Sequence, residues 1–384
     1  MRILAVGGGS GGHVTPVAAV VKELRKSKPD AEIRFWCDRA FLKQATATMH
    51  TVDPDMRIDT IVAGKLRRYH KLSIVRQLLQ VRTIVLPNLF DAVKIAAGTA
   101  QSFVKLLSWR PDVIFTKGGF VCLPVGLAAW ALRIPLVIHD SDAHPGLTNR
   151  ILARFARTIV TGAPLKYYRY PKAKSHYVGI PVAGTISRVN AKQQAEAKKE
   201  LGFSEHEPLV VITGGGLGAS SLNEAAMAVL KDLLQFTSVI LISGTAHEAE
   251  LRARAPKRKN FKLYGYVADD MLTMLGAADI VVRRAGATTL LDLAALGKPA
   301  IIVPNAHLSG GHQSKNAAVY EQAGAVVVLD EVQLKAQPLS LVDAINATLL
   351  NTAVMKRLSQ NIFTLSKPEA ARQTANFILK AVGK

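Results

Sequence analysis

Gly7-Gly8-Gly9-Ser10-Gly11-Gly12-His13, straight after the apolar run Arg2–Val6, and Gly214-Gly215-Gly216-Leu217-Gly218-Ala219-Ser220, straight after Leu209–Thr213, decide the fold. Each is a glycine-rich turn that leaves an apolar strand and opens a helix. Glycine lets backbone bend sharply and approach a bound group, and the following helix points free N–H groups at negative charge. Two such turns, one in each half, predict an α/β protein of two Rossmann-like domains with parallel sheets facing a central cleft. That architecture suits a nucleotide-sugar enzyme.

Around the turns, apolar runs alternate with helical stretches. The first half predicts strands at 2–6, 32–37, 57–62, 112–116, 135–140 and 158–161, with helices at 16–26 and 147–157. The second half repeats the scheme at 209–213, 238–243, 262–266, 279–282, 300–303 and 325–329. Gly179-Ile180-Pro181-Val182-Ala183-Gly184 reads as a hinge, and a helix closes the chain at 368–382. The expected division is a first domain at 1–182, a second at 183–364, and a terminal helix at 365–384 returning to the first.

The 384 residues are 49% hydrophobic and 6% aromatic, a balance typical of α/β proteins with two ordinary cores. Two cysteines, Cys37 and Cys122, make no disulfide framework and suit a reducing compartment. The chain enters a strand at once, so no signal peptide is expected, and no run of about 18 uncharged apolar residues predicts a membrane span. The net charge of +21 points to an anionic partner.

In open α/β sheets ligands bind beyond the carboxyl ends of the strands, so the chemistry belongs in the strand-to-helix turns. The first turn spells G-x-G-x-x-G at Gly7, Gly9 and Gly12, with Asp38 after the second strand, the outline of a dinucleotide site. His13 would crowd a pyrophosphate there, yet it suits a base. Lys117-Gly118-Gly119-Phe120-Val121 follows the next informative strand. His139-Asp140-Ser141-Asp142 comes after it, and spells the D-x-D of metal-dependent sugar transferases. Helix N-termini can stabilise a diphosphate instead of a cation, so no metal or other cofactor is expected. In Arg283-Arg284-Ala285-Gly286-Ala287-Thr288-Thr289, small residues open a helix whose N–H groups and hydroxyls suit a diphosphate. Asp292, one turn further on, suits the two hydroxyls of a ribose. His307 and Ser309-Gly310-Gly311-His312-Gln313 follow a later strand, where Gln313 and Asn316 suit sugar hydroxyls.

With these turns in order, the chain resembles the MurG family, the undecaprenyl-diphospho-muramoylpentapeptide β-N-acetylglucosaminyltransferases of bacterial cell-wall synthesis. The resemblance runs nearly end to end. It rests on Gly8-Gly9-Ser10-Gly11-Gly12-His13, Gly118-Gly119-Phe120-Val121, Pro124-Val125-Gly126-Leu127-Ala128-Ala129 and Pro145-Gly146-Leu147-Thr148-Asn149-Arg150. It rests equally on Arg284-Ala285-Gly286-Ala287-Thr288-Thr289, Ala295-Leu296-Gly297-Lys298-Pro299 and His312-Gln313 with Asn316-Ala317. The resemblance implies a GT-B fold, a UDP-N-acetylglucosamine donor and lipid I as acceptor. It implies that Ser10, Gly11, Gly12 and Gly216 lie near the donor, with the uracil near Val267 and Ala268 and the ribose on Asp292. His13, His139, Asn149, Asn223, Arg284 and Gln313 match functional family positions. Several positions depart from the family: Ser10 for threonine, Phe120 for tyrosine, Asp140 and Asp142 for glutamate and asparagine. Gly216 replaces serine, Asp292 replaces glutamate, and Ala183 replaces an arginine whose charge Arg188 is expected to supply.

Residues 65–110 carry nine Lys or Arg against one acid, Asp91, interleaved with more apolar residues than one buried helix face needs. Arg67, Arg68, Lys71, Arg76 and Leu79 are the expected contacts with an anionic membrane surface. The run lacks stacking aromatics, so no nucleic-acid partner is expected. The reading is an inverting glycosyltransferase at the cytoplasmic face of the bacterial plasma membrane. Its donor would sit mainly on the second domain and its lipid-linked muramoyl-peptide acceptor on the first, with other cell-wall synthesis proteins as further partners. His13 is the first choice of general base and Asp140 the second, with His139 beside them. The rivals are a UDP-sugar epimerase, a transferase with another lipid acceptor, a dinucleotide oxidoreductase and a degenerate membrane scaffold.

Overall fold

A computed structural model describes residues 1–9, 11–66, 79–182, 187–215, 218–267, 270–305 and 311–382. The chain forms two compact units, Met1–Thr185 with Lys367–Lys384, and Ile186–Ser366. The first unit holds β1 (Arg2–Val6), β2 (Glu32–Cys37), β3 (Arg57–Thr60), β4 (Val113–Thr116), β5 (Leu136–Asp140), β6 (Thr158–Thr161) and β7 (Ser175–Tyr177). They form one sheet in the order β3-β2-β1-β4-β5-β6-β7. The second unit holds β8 (Leu209–Thr213), β9 (Ser238–Ile242), β10 (Phe261–Tyr264), β11 (Ile280–Arg283), β12 (Ala300–Ile302) and β13 (Val327–Val328), in the order β10-β9-β8-β11-β12-β13. All these pairings are parallel.

A parallel sheet must be covered on both faces, so its strands read as unbroken apolar runs. β4, β5 and β8 are buried at every position. On one face of the first sheet Ile3, Ala5, Phe35 and Val113 pack against Val14, Val17 and Val21 of the helix Gly11–Ser27. On the other, Leu4, Val6, Ile114 and Ile138 pack against the helix Cys122–Ala131. The second sheet is covered in the same way. The helix Ala370–Ala381 belongs to the first unit, where Ala375, Ile378 and Ala381 complete a core.

Several boundaries differ from the sequence expectations for local reasons. β3 ends at Thr60 because the Val62 N–H donates to Gln101 Oε1 at 2.9 Å instead of the ladder. The helix predicted over 147–157 stops at Leu152, and Arg157 N–H already bonds Leu136 O at 2.8 Å to start β6. The first helix begins at Gly11, not at Pro16, which puts His13 in its first turn. β7 was not expected, because Ser175-His176-Tyr177 is a three-residue edge strand without an apolar run.

Candidate active site

In each sheet the strand order reverses beside the first strand, between β1 and β4 and between β8 and β11. Ligands bind at the carboxyl ends flanking such a switch point. The informative turns of the sequence leave these ends.

In the first unit, Gly9 has φ +76°, and a Cβ there would come within 2.6 Å of the Phe120 ring. Asp38 is spent on this loop. Its Oδ1 accepts from Gly9 N–H at 2.7 Å and its Oδ2 from Phe41 N–H at 3.1 Å. The acid that outlined a dinucleotide site therefore holds the loop's own backbone. His13 lies half-buried over Gly119, whose absent Cβ would stand 3.3 Å from the ring. Burial first, and the positive charge of Lys117 second, hold the imidazole down to about 4, so it is neutral at pH 7.

Lys117 follows β4 and is only 2% exposed. Its ammonium donates to Ser141 Oγ, between Asp140 and Asp142. Burial lowers it to about 8, opposed by the charges of Asp142 and Asp140, so it remains an ammonium at neutral pH. Burial pushes Asp140 up to about 7. The Tyr170 hydroxyl donates to Asp140 Oδ2 at 2.7 Å, and that of Tyr168 to Asp142 O at 2.7 Å. Sequence reasoning named Lys117 without giving it a role and missed both tyrosines. The usable signal was a lysine at the end of a wholly apolar strand, followed by two glycines.

Two site residues of this unit are buried. His139 was placed with the catalytic residues, but it is 0% exposed and its Nε2 bonds Gly179 O at 2.8 Å. Burial holds it neutral, and it ties β5 to the segment leaving β7. Asn149 was expected on substrate, but its side chain is buried and its Nδ2 donates to His139 O at 3.0 Å. It fixes the end of β5, and with it the backbone that carries Asp140. Gly12 is exposed, and Asp142 is half-buried beside Lys117 and His13. Gly11 opens the helix.

In the second unit the helix Ala287–Leu296 follows β11, and its N-cap residue, Gly286, has no side chain to bond its first N–H groups. Ala287, Thr288 and Thr289 are half-buried there. An uncapped helix start with the dipole's positive end is an anion site. Asp292 stands within the same helix, 3.5 Å from Nη1 of Arg283. Arg283 is 6% exposed, and its Nε and Nη1 have no hydrogen-bond partner among the described residues. Burial raises Asp292, and Arg283 opposes the rise. Sequence reasoning quoted Arg283 but gave it no role.

Arg284 and Asn223 are buried in the same way. The Arg284 guanidinium is buried against Glu331 at 2.5 Å, Ser221 Oγ at 2.7 Å and Val303 O at 3.0 Å. It braces the turn from within. Asn223 donates to Ser243 O at 2.8 Å and is 1% exposed. Gln313 accepts from Asn305 N–H at 2.8 Å at the start of the helix His312–Gln322, beside His312, and Asn316 donates to Ala285 O at 3.2 Å. Val267 packs on the same core as Leu290 and Leu293 of the Asp292 helix. Arg188 does not stand free to replace a lost arginine. It lies 5.1 Å over the Phe363 ring and bonds Ser359 Oγ at 3.1 Å. Ser10, Gly216, Ala268, His307, Ala183, Arg67, Arg68, Lys71 and Arg76 lie outside the described residues.

Leu79 is 75% exposed. Val81, Leu86, Leu89, Phe90, Val93, Val104 and Leu107 are exposed too, six of them on the helix Leu86–Trp109 with Phe90 beside Lys94. Trp130, also exposed, stacks 4.7 Å from Phe155. Among the described residues no helix is long and apolar enough to cross a membrane. Among them no three His, Cys, Asp or Glu side chains gather as a metal site.

Residues 3–161 match the glycosyltransferase family 28 N-terminal domain and residues 209–374 the family 28 C-terminal domain. A Legionella pneumophila (strain Lens) protein named UDP-N-acetylglucosamine–N-acetylmuramyl-(pentapeptide) pyrophosphoryl-undecaprenol N-acetylglucosamine transferase is 33% identical over 88% of this chain and 86% of its own. A Bacillus thuringiensis (strain Al Hakam) protein of that name is 31% identical over 86% and 87%. The crystal structure of Acinetobacter baumannii MurG superposes with TM-score 0.73 at 23% identity, covering 99% of both chains. A Neisseria meningitidis UDP-GlcNAc 2-epimerase superposes with TM-score 0.65 at 12% identity, covering 99% of both, so the GT-B fold alone does not choose between transfer and epimerisation. The sequence relatives do choose: the chain belongs to glycosyltransferase family 28, among its MurG N-acetylglucosaminyltransferases.

Proposed function

We infer that the chain transfers N-acetylglucosamine from UDP-N-acetylglucosamine to the C4 hydroxyl of a lipid-linked N-acetylmuramoyl-pentapeptide, with inversion, as a step of peptidoglycan synthesis. The carrying observation is the uncapped start of the helix Ala287–Leu296 beside the Arg283–Asp292 pair. The N–H groups of Ala287–Thr289 take the diphosphate, Asp292 the ribose, and Val267 borders the uracil. The acceptor is handled by the first unit. Its C4 oxygen bonds to the anomeric carbon while the bond to the UDP oxygen breaks, and the hydroxyl proton passes to a base. His13 is our choice, since its half-buried ring is neutral and stands over Gly119. The free helix start supplies positive charge to the leaving diphosphate, so the reaction needs no divalent cation.

The polyprenyl tail of such an acceptor stays in the bilayer, because each exposed methylene costs about 0.8 kcal/mol. The enzyme therefore binds the anionic cytoplasmic face of the plasma membrane as a peripheral protein. Its net charge of +21 and the exposed Leu89, Phe90 and Val93 support this docking. One experiment tests donor, acceptor and cation together. Labelled UDP-N-acetylglucosamine is given to the full chain with polyprenyl-diphospho-muramoylpentapeptide in anionic vesicles, with and without EDTA. UDP release should require the lipid acceptor, survive EDTA and fall with added salt. Epimerised or hydrolysed donor without acceptor would overturn the reading, and a strict Mg²⁺ requirement would overturn the cation-free part.

A further inference from the structure

Asp140-Ser141-Asp142 has the spelling of a metal-binding turn, and the reaction described above leaves it without a task. The structure shows what fills it. Lys117, 2% exposed, reaches from the end of β4 to the end of β5 and donates to the Ser141 hydroxyl between the two carboxylates. A buried ammonium without an opposite charge costs several kcal/mol, so at least one of these carboxylates must be ionised with it. Gly118 and Gly119 follow immediately. A Cβ on Gly118 would stand 3.0 Å from Asn149 Nδ2, and one on Gly119 would stand 3.3 Å from the His13 ring. The turn that follows the lysine is thereby pressed between the Asn149 amide and the His13 ring.

We propose that Lys117 is the built-in counter-ion of the Asp140-Ser141-Asp142 turn. It is a positioning residue whose buried positive charge takes the part a divalent cation takes in D-x-D transferases, and it governs proton sharing between His13 and Asp140. The cluster holds one ammonium, two carboxylates and one imidazole. With both carboxylates ionised it carries one net negative charge, and the acceptor's hydroxyl proton brings it to zero. Other groups at Lys117 or the carboxylates do not exchange protons near neutrality. Burial pushes the Cys122 thiol up to about 12, keeps His139 neutral, and raises the Tyr168 and Tyr170 hydroxyls.

The proposal rests on the transferase reading but can fail separately. The Lys117 charge favours the deprotonated form of both His13 and Asp140. Removing it raises both proton affinities, so the acid limb of turnover moves to higher pH whichever group is the base. In Lys117→Met the limb should rise by about one pH unit, with the KM for UDP-N-acetylglucosamine unchanged. Asp142→Asn should move it down, since that carboxylate raises both groups. Lys117→Met in the Asp142→Asn background should bring it back up, which supplies the measurement if the single variant fails to fold. An unmoved limb in either background, with turnover lowered evenly at every pH, would make Lys117 a structural filler and overturn the proposal. A parent chain that transfers no sugar would instead overturn the transferase reading.

Discussion

The two units repeat one plan and fill it with different charges. In each sheet a glycine turn leaves the first strand of the switch point and a cationic residue closes the other. In the first unit that cation is Lys117, tied to side chains whose proton affinities lie on either side of neutrality: His13 near 4, Asp140 near 7 and Lys117 itself near 8. In the second it is a pair of arginines, each facing one acid, Asp292 or Glu331. Arginine does not give up its proton in proteins. The first unit can thus exchange protons, and the second holds a charge that stays constant. A doubly wound sheet accepts either, because the switch point specifies where a group stands and not what it is.

The comparison breaks most visibly at His13. His13→Ala should lower turnover by about 10²–10⁴-fold, with UDP affinity by calorimetry nearly unchanged. A base must be deprotonated, so activity is lost as pH falls through its pKa. If His13 is the base, kcat/KM of the parent should hold down to about pH 5 and fall toward its value of about 4. A limb near 7, with Asp140→Asn the more damaging variant, would hand the role to Asp140.

The fixed-charge unit is next. Glu331→Ala leaves Arg284 buried without its partner and should cost about 3–5 kcal/mol in denaturant unfolding. Arg284→Met/Glu331→Leu should recover most of that. Equal loss in the single and double variants would mean that the pair does not act through its charge.

Asp292→Ala should weaken UDP-N-acetylglucosamine binding by about 1–3 kcal/mol, the scale of a charge-assisted hydrogen bond. Arg283→Met should weaken it less, and the double variant should lose less than the two separate losses combined, because the residues share one contact. Strict additivity in a calorimetric cycle would separate them.

The frame of this molecule was readable because it depends on local features. Apolar runs mark the strands, and glycines mark where the chain must leave them. The contacts that were not legible share another cause. His139, Asn149, Asn223 and Arg284 stand at the right end of the right strand or helix, but their side chains turn inward, and no spacing reveals that. Lys117 meets a residue 24 positions away and Arg284 one 47 positions away. Such pairs exist only once the crossover connections have been made. Asp38 misled for the opposite reason. It has the type and spacing of a ribose ligand, yet the nearby Gly9 N–H claims it.

The helix Ala370–Ala381 gives the chain an order of assembly. The core of the first unit lacks Ala375, Ile378 and Ala381 until all of Ile186–Ser366 has been synthesised in between. At a translation rate of about 5–20 residues per second, that leaves the first sheet waiting roughly 10–40 s with one flank open. The second unit has no such wait, since its segment is continuous. On the ribosome, the half that was begun first is therefore the half that is finished last.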